Sequence, residues 1–117
     1  MKELVYVFVG GGLGSLLRYF ISLFFTQSIF PFSTLISNIL SCLLLVLAVE
    51  FLNKSYDGHY WTLFLIIGFC GGFSTFSTFS YETLELFKNG RVLYAFLNIC
   101  INTLLCFLIF YFFIEKS

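Results

Sequence analysis

Apolar residues in this chain fall in four stretches long enough to cross a bilayer, at about 4–25, 32–52, 61–87 and 92–114, with only short polar segments between them. A spanning helix needs roughly 20 such residues. The 117 residues are 60% hydrophobic and 10% charged, against roughly 45–50% and 25% in soluble domains. The expected fold class is an all-α membrane protein with four transmembrane helices in a single domain, 1–117, with no soluble catalytic domain. The stretch from Leu4 is longer than a cleaved leader and contains Arg18, so it reads as the first span.

The third stretch is the least regular. It runs apolar from Trp61, meets Gly71-Gly72, and continues as Phe73-Ser74-Thr75-Phe76-Ser77-Thr78-Phe79-Ser80-Tyr81-Glu82. Paired glycines followed by hydroxyls at membrane depth predict a helix broken near 71–74. Backbone released from helical bonding persists there only where it is buried in protein, lines water or coordinates an ion. Past the break, Phe76 and Phe79 share a helix face, Ser77 and Ser80 form a neighbouring stripe, and Ser74 and Thr78 form another.

The other polar residues are few enough to weigh singly. Gly10 and Gly14, like Gly11 and Ser15, are four apart and predict close helix packing in the first span. Arg18 lies one turn beyond Gly14, where a guanidinium either reaches the interface or faces water and a partner. In the second span Ser33, Ser37 and Ser41 recur at every fourth residue beside Asn38, which predicts a polar track. Asn98 and Asn102 are four apart in the last span, with Thr103 alongside and Cys106 next in their row, and mark a face turned from lipid. His59 stands among Tyr60 and Trp61, where an interfacial belt is expected. The linker's Lys54 and Asp57 and the loop residue Gln27 are polar connections. Cys42, Cys70, Cys100 and Cys106 sit in apolar stretches without metal-site spacing and read as small packing residues.

These patterns exclude several functions. No carboxylate pair, activated nucleophile or phosphate loop is present, so an enzyme is not expected. A net charge of zero without a basic patch excludes nucleic-acid binding. Lys2, Lys54 and Lys116 fall on one side of the four-span arrangement, with Lys88 and Arg91 on the other and Arg18 near the second side. So even a distribution gives little topological instruction, and two oppositely inserted copies could pair about an axis in the membrane plane. Ion passage fits the polar residues best. Hydroxyls and amides supply donors for an anion, and the positive edge of a phenyl ring admits one in its plane.

Over essentially its whole length the chain resembles the Fluc (CrcB) family of fluoride channels. The resemblance rests on Gly10 to Tyr19, on Thr34-Leu35 with Asn38, and above all on Gly68-Phe69-Cys70-Gly71-Gly72 with Ser74 to Ser80 and Glu82. It implies an antiparallel, dual-topology homodimer in the bacterial inner membrane, with two fluoride pathways that export the ion passively. It also implies a central structural sodium ion held by the backbone carbonyls of Gly71 and Ser74 from both copies. By the same resemblance Phe76 and Phe79 line the pathways, Asn38 is the pathway asparagine, and Ser77, Thr78 and Ser80 form a polar track. Arg18 and Glu82 match motif positions, and Asn98 and Asn102 are accessory candidates. Phe73 and Ser74 replace the common leucine and threonine, Ser33 and Ser41 replace glycines, and Leu105-Cys106 replaces Gly-Ser.

Two rival readings are a dual-topology, proton-coupled exporter of cationic drugs and a membrane assembly subunit. The exporter needs a carboxylate deep in a span, whereas Glu3, Glu50, Glu82, Glu85 and Glu115 lie at or near span ends. The assembly subunit leaves the dense third motif without a purpose.

Overall fold

The computed structural model describes residues 1–26, 28–53 and 58–114 and is helical almost throughout. α1 (Lys2–Ser22) closes with a 3-10 turn at Leu23–Phe25, and α2 follows at Phe32–Asn53. α3 covers residues 58–73, then come α4 (Phe76–Lys88) and α5 (Val92–Ile114). Four segments are long and apolar enough to cross a membrane, namely Lys2–Phe25, Phe32–Asn53, Gly58–Lys88 and Val92–Phe113. These agree with the predicted spans to within a few residues. Gln27, Lys54, Asp57, Glu115 and Lys116 lie outside the described residues.

The most extensive packing joins α1 to α3, and its cause is legible in the residues. Through Thr62–Cys70 α3 widens into a π-helix, and the Gly71 amide donates to the carbonyls of Ile66 and Gly68. The carbonyl oxygens of Phe64 and Phe69 project against α1 where Gly10 and Gly14 lie buried. A side chain at either glycine would collide with backbone, so the small-residue spacing expected to allow close approach does so here.

The break is real, but it lies later than the glycines suggested. Gly71 has helical angles, φ −64° and ψ −34°, and the helix continues through Phe73. Ser74 (φ −84°, ψ 154°) and Thr75 (φ −151°, ψ 121°) are the extended residues. Glycine weakens a helix without forbidding it, and Gly72 is needed for its fit against the backbone of Gly11. The hydroxyls make the interruption. Ser74 Oγ donates to the Cys70 carbonyl at 3.0 Å, and Thr75 Oγ1 accepts from the Thr78 amide at 3.2 Å, capping α4.

The serine stripe of α2 also divides differently from the expected track. Ser37 and Ser41 are buried, and Ser41 Oγ donates to the Cys70 carbonyl at 3.0 Å. The Ser37 hydroxyl has no hydrogen-bond partner among the described residues. The stripe therefore packs α2 on α3, and Ser33 alone reaches a cavity. Between α4 and α5 the chain turns at Gly90, whose φ of +78° lets Arg91 donate to the Leu86 carbonyl at 2.8 Å. His59 stacks near Tyr60 with ring centroids 5.2 Å apart, and Tyr60 packs on Tyr6 at 4.8 Å, as an aromatic belt requires.

Each span buries little of itself within the chain, between 11% and 28% of its most apolar window. The remaining surface faces lipid or another chain.

Candidate functional site

The break at Ser74 and Thr75 opens onto a cavity of about 250 Å³. Its walls are Asn38 and Cys42 from α2, Ser74, Thr75, Phe76 and Phe79 from the break and α4, and Asn102, Thr103 and Cys106 from α5. Phe76 and Phe79 sit together with centroids 5.8 Å apart and rings tilted by 47°, as their spacing predicted. Phe79 is half-buried, while Phe76 is 79% exposed in the single chain.

A chain of hydrogen bonds holds this cavity open. The Thr75 amide donates to Asn38 Oδ1 at 3.0 Å instead of turning back towards Gly71, and Asn38 Nδ2 donates to Asn102 Oδ1 at 3.1 Å. Asn102 Nδ2 donates to both the backbone carbonyl and Oδ1 of Asn98, each at 2.8 Å. Asn98 Nδ2 then reaches Thr83 Oγ1 at 2.9 Å, and that hydroxyl donates to the Phe79 carbonyl at 2.8 Å. The path starts at the break, crosses α2 and α5, and returns to α4 beneath Phe79. Its amide orientations are settled by chemistry, because a backbone N–H only donates and a backbone carbonyl only accepts. Asn38 must turn its oxygen to Thr75, and Asn102 must turn its nitrogen to Asn98.

Asn98 is fully buried and Asn102 nearly so. The expectation of a face turned from lipid holds, and their roles now separate. Asn98 braces from behind, while Asn102 reaches the cavity wall. Asn38 spends one amide hydrogen on Asn102 and keeps another for the cavity.

The remaining predicted residues divide. Arg18, Thr78 and Glu82 line a second cavity of about 280 Å³ with Ser15, Tyr19, Ser22, Ser33 and Thr34. Arg18 is half-buried and lines this polar space. Ser77 and Ser80 are exposed in the single chain and line neither cavity, although Ser77 Oγ lies 3.2 Å from Thr75 Oγ1. Gly71 is likewise exposed, one turn ahead of the break.

Thr75, Cys42, Thr103 and Cys106 are cavity residues not singled out for a role by their types. The signal was present in the spacing, since Cys42 follows Asn38 by one helical turn and Cys106 follows Asn102 by the same interval. Cys70 is buried, whereas Cys42 and Cys106 are half-buried and also line this cavity.

Residues 5–113 match the family described as CrcB-like protein, Camphor Resistance (CrcB). A protein of Flavobacterium psychrophilum named fluoride-specific ion channel FluC is 42% identical over 109 residues, covering 90% of this chain and 88% of its own. A protein of the same name from Pyrococcus horikoshii is 46% identical over 112 residues, covering 93% and 91%. In a Geobacter protein, also so named, identity is 41% over 110 residues, covering 91% and 89%.

Proposed function

Because the chain belongs to the CrcB family, whose named relatives are ion channels and not enzymes, we propose that it lets fluoride leave the cell passively through the cavity at the α3–α4 break. The observation that carries this reading is the meeting of Phe76, Phe79 and Asn38 in one cavity at a helix interruption. Fluoride holds its water tightly, so its path must offer replacement donors. Asn38 retains an amide hydrogen for this task, and Thr103 adds a hydroxyl. The phenyl edges accept an anion and offer little to a cation, which prefers ring faces. The amino end of α4 opens at the same place, with the positive end of its dipole.

The working unit is an antiparallel homodimer in the bacterial inner membrane. Phe76, Gly71, Ser77 and Ser80 are all exposed in one chain, so a second copy would complete walls that one chain leaves open. Sodium would be held at the twofold axis by the carbonyls of Gly71 and Ser74. These oxygens suit a hard cation. The Thr75 amide is committed to Asn38, and Ser74 is extended, so carbonyls at the break are released from the helical ladder. Two carbonyls are too few for a hard cation, which is why both copies must contribute. The ion would act structurally, fixing one break against the other.

Two measurements test this reading. Fluoride-electrode recording on proteoliposomes is expected to show fluoride release with far less chloride leak, and Phe76→Ile or Phe79→Ile should cut the flux several-fold. Chloride passing as freely as fluoride would defeat the assignment. Cysteine labelling at engineered termini should find each terminus on both sides of the membrane, and a uniform orientation would rule out the antiparallel pair.

A further inference from the structure

The same cavity contains a feature that anion passage does not use. Cys42 lies one turn after Asn38 on α2, and Cys106 one turn after Asn102 on α5. Asn38 bonds directly to Asn102, and the two helices run in the same direction, so one turn further on the two cysteines stand at the same level of the bundle. Cys106 Sγ also lies 3.8 Å from the Asn38 carbonyl oxygen. Both thiols are half-buried and both line the cavity.

The donor set defines what could bind. No carboxylate or imidazole lines this cavity, which leaves two sulfurs with a few amide and hydroxyl oxygens. Hard cations require several oxygen ligands, and structural zinc requires four nitrogen or sulfur ligands. Two adjacent sulfurs suit a soft d10 cation that accepts two thiolates in a line. Two thiolates also neutralise a divalent charge, so the bridged product adds no net charge to an apolar site.

We infer that Cys42 and Cys106 form a two-sulfur site for a soft, thiophilic cation of the mercuric class, and that filling it closes the passage beside Phe76 and Phe79. Each thiol loses its proton to water as its sulfur–metal bond forms. One divalent cation is bound, two protons are released, and nothing is oxidised or reduced. The closing effect rests on the cavity being the fluoride pathway, whereas the site itself does not.

The test adds mercuric chloride to the full chain in liposomes and reads fluoride efflux and intact mass together. The expected result is one mercury per chain with the loss of two protons. Efflux should fall by at least an order of magnitude and recover with an excess of a small dithiol. Cys42→Ser and Cys106→Ser, each compared with its own metal-free rate, should lose the block, and Cys100→Ser should keep it. A block that survives in Cys42→Ser or Cys106→Ser, or that disappears in Cys100→Ser, overturns the assignment. So does mercury bound with the loss of one proton, or efflux unaffected by bound mercury. If metal-free liposomes release no fluoride, the functional reading fails instead, and the mass measurement alone decides whether the site exists.

Discussion

Asn38→Leu is expected to stop fluoride efflux almost completely and to lower the unfolding temperature of the detergent-solubilised protein. Leucine keeps the branching of asparagine but can neither accept the Thr75 amide, now 3.0 Å from Oδ1, nor donate to Asn102 Oδ1 at 3.1 Å. Two polar groups lose their partners at membrane depth. At about 1–3 kcal/mol for each buried group left unsatisfied, the loss is roughly 2–6 kcal/mol. The Thr75 amide then has one nearby remedy, which is to turn back towards the Gly71 carbonyl and extend α3 through the break. That would move α4 and take Phe76 and Phe79 out of position. Tryptophan fluorescence from Trp61, the chain's one tryptophan, can follow unfolding while a fluoride electrode follows flux. Native stability and native flux in Asn38→Leu would show that the hydrogen-bond chain does not hold the break.

Gly14→Ala should be the most damaging single-methyl addition in the protein. The added Cβ would overlap the carbonyl oxygen of Phe69 and stand 2.8 Å from the Phe73 amide nitrogen. Both are backbone atoms of α3, so no side chain can swing aside. α1 and α3 must separate along their most extensive contact, and the disturbance reaches Phe73, one residue before Ser74. Overpacking usually costs about 1–3 kcal/mol, with the upper end expected where backbone must shift. Gly12→Ala is the matched control. Nothing lies within 4 Å of its added Cβ, so alanine's helix preference of roughly 0.8–1 kcal/mol over glycine should leave the protein as stable as before or slightly more so. The comparison is read as the yield of monodisperse protein and its unfolding temperature. Equal behaviour of the two variants would refute the close contact between α1 and α3.

Much of the molecule is legible in local properties of the chain. Four spans follow from apolar length, because a bilayer requires about 20 residues of helix. The contact at Gly10 and Gly14 follows from four-residue spacing, and the shared face of Phe76 and Phe79 follows from a spacing of three. Such features depend on helix geometry alone and survive whatever the helix packs against. The third span also announces its interruption, although the glycines draw attention to the wrong residues. Gly71 and Gly72 remain helical, the Ser74 amide still donates to the Cys70 carbonyl at 3.1 Å, and Thr75 is the first residue whose amide leaves the ladder.

What the sequence determined by itself was the helical membrane architecture, the pairing of the two phenylalanines and the family to which the chain belongs. The packing of the helices was needed to show where the third span breaks, which asparagine faces the cavity and which one braces it, and that Cys42 and Cys106 line the same cavity. The reason is physical. Hydrophobic length and periodicity are fixed along one helix, whereas a hydrogen bond such as Thr75 to Asn38 forms only when folding brings two distant segments within about 3 Å with a donor facing an acceptor.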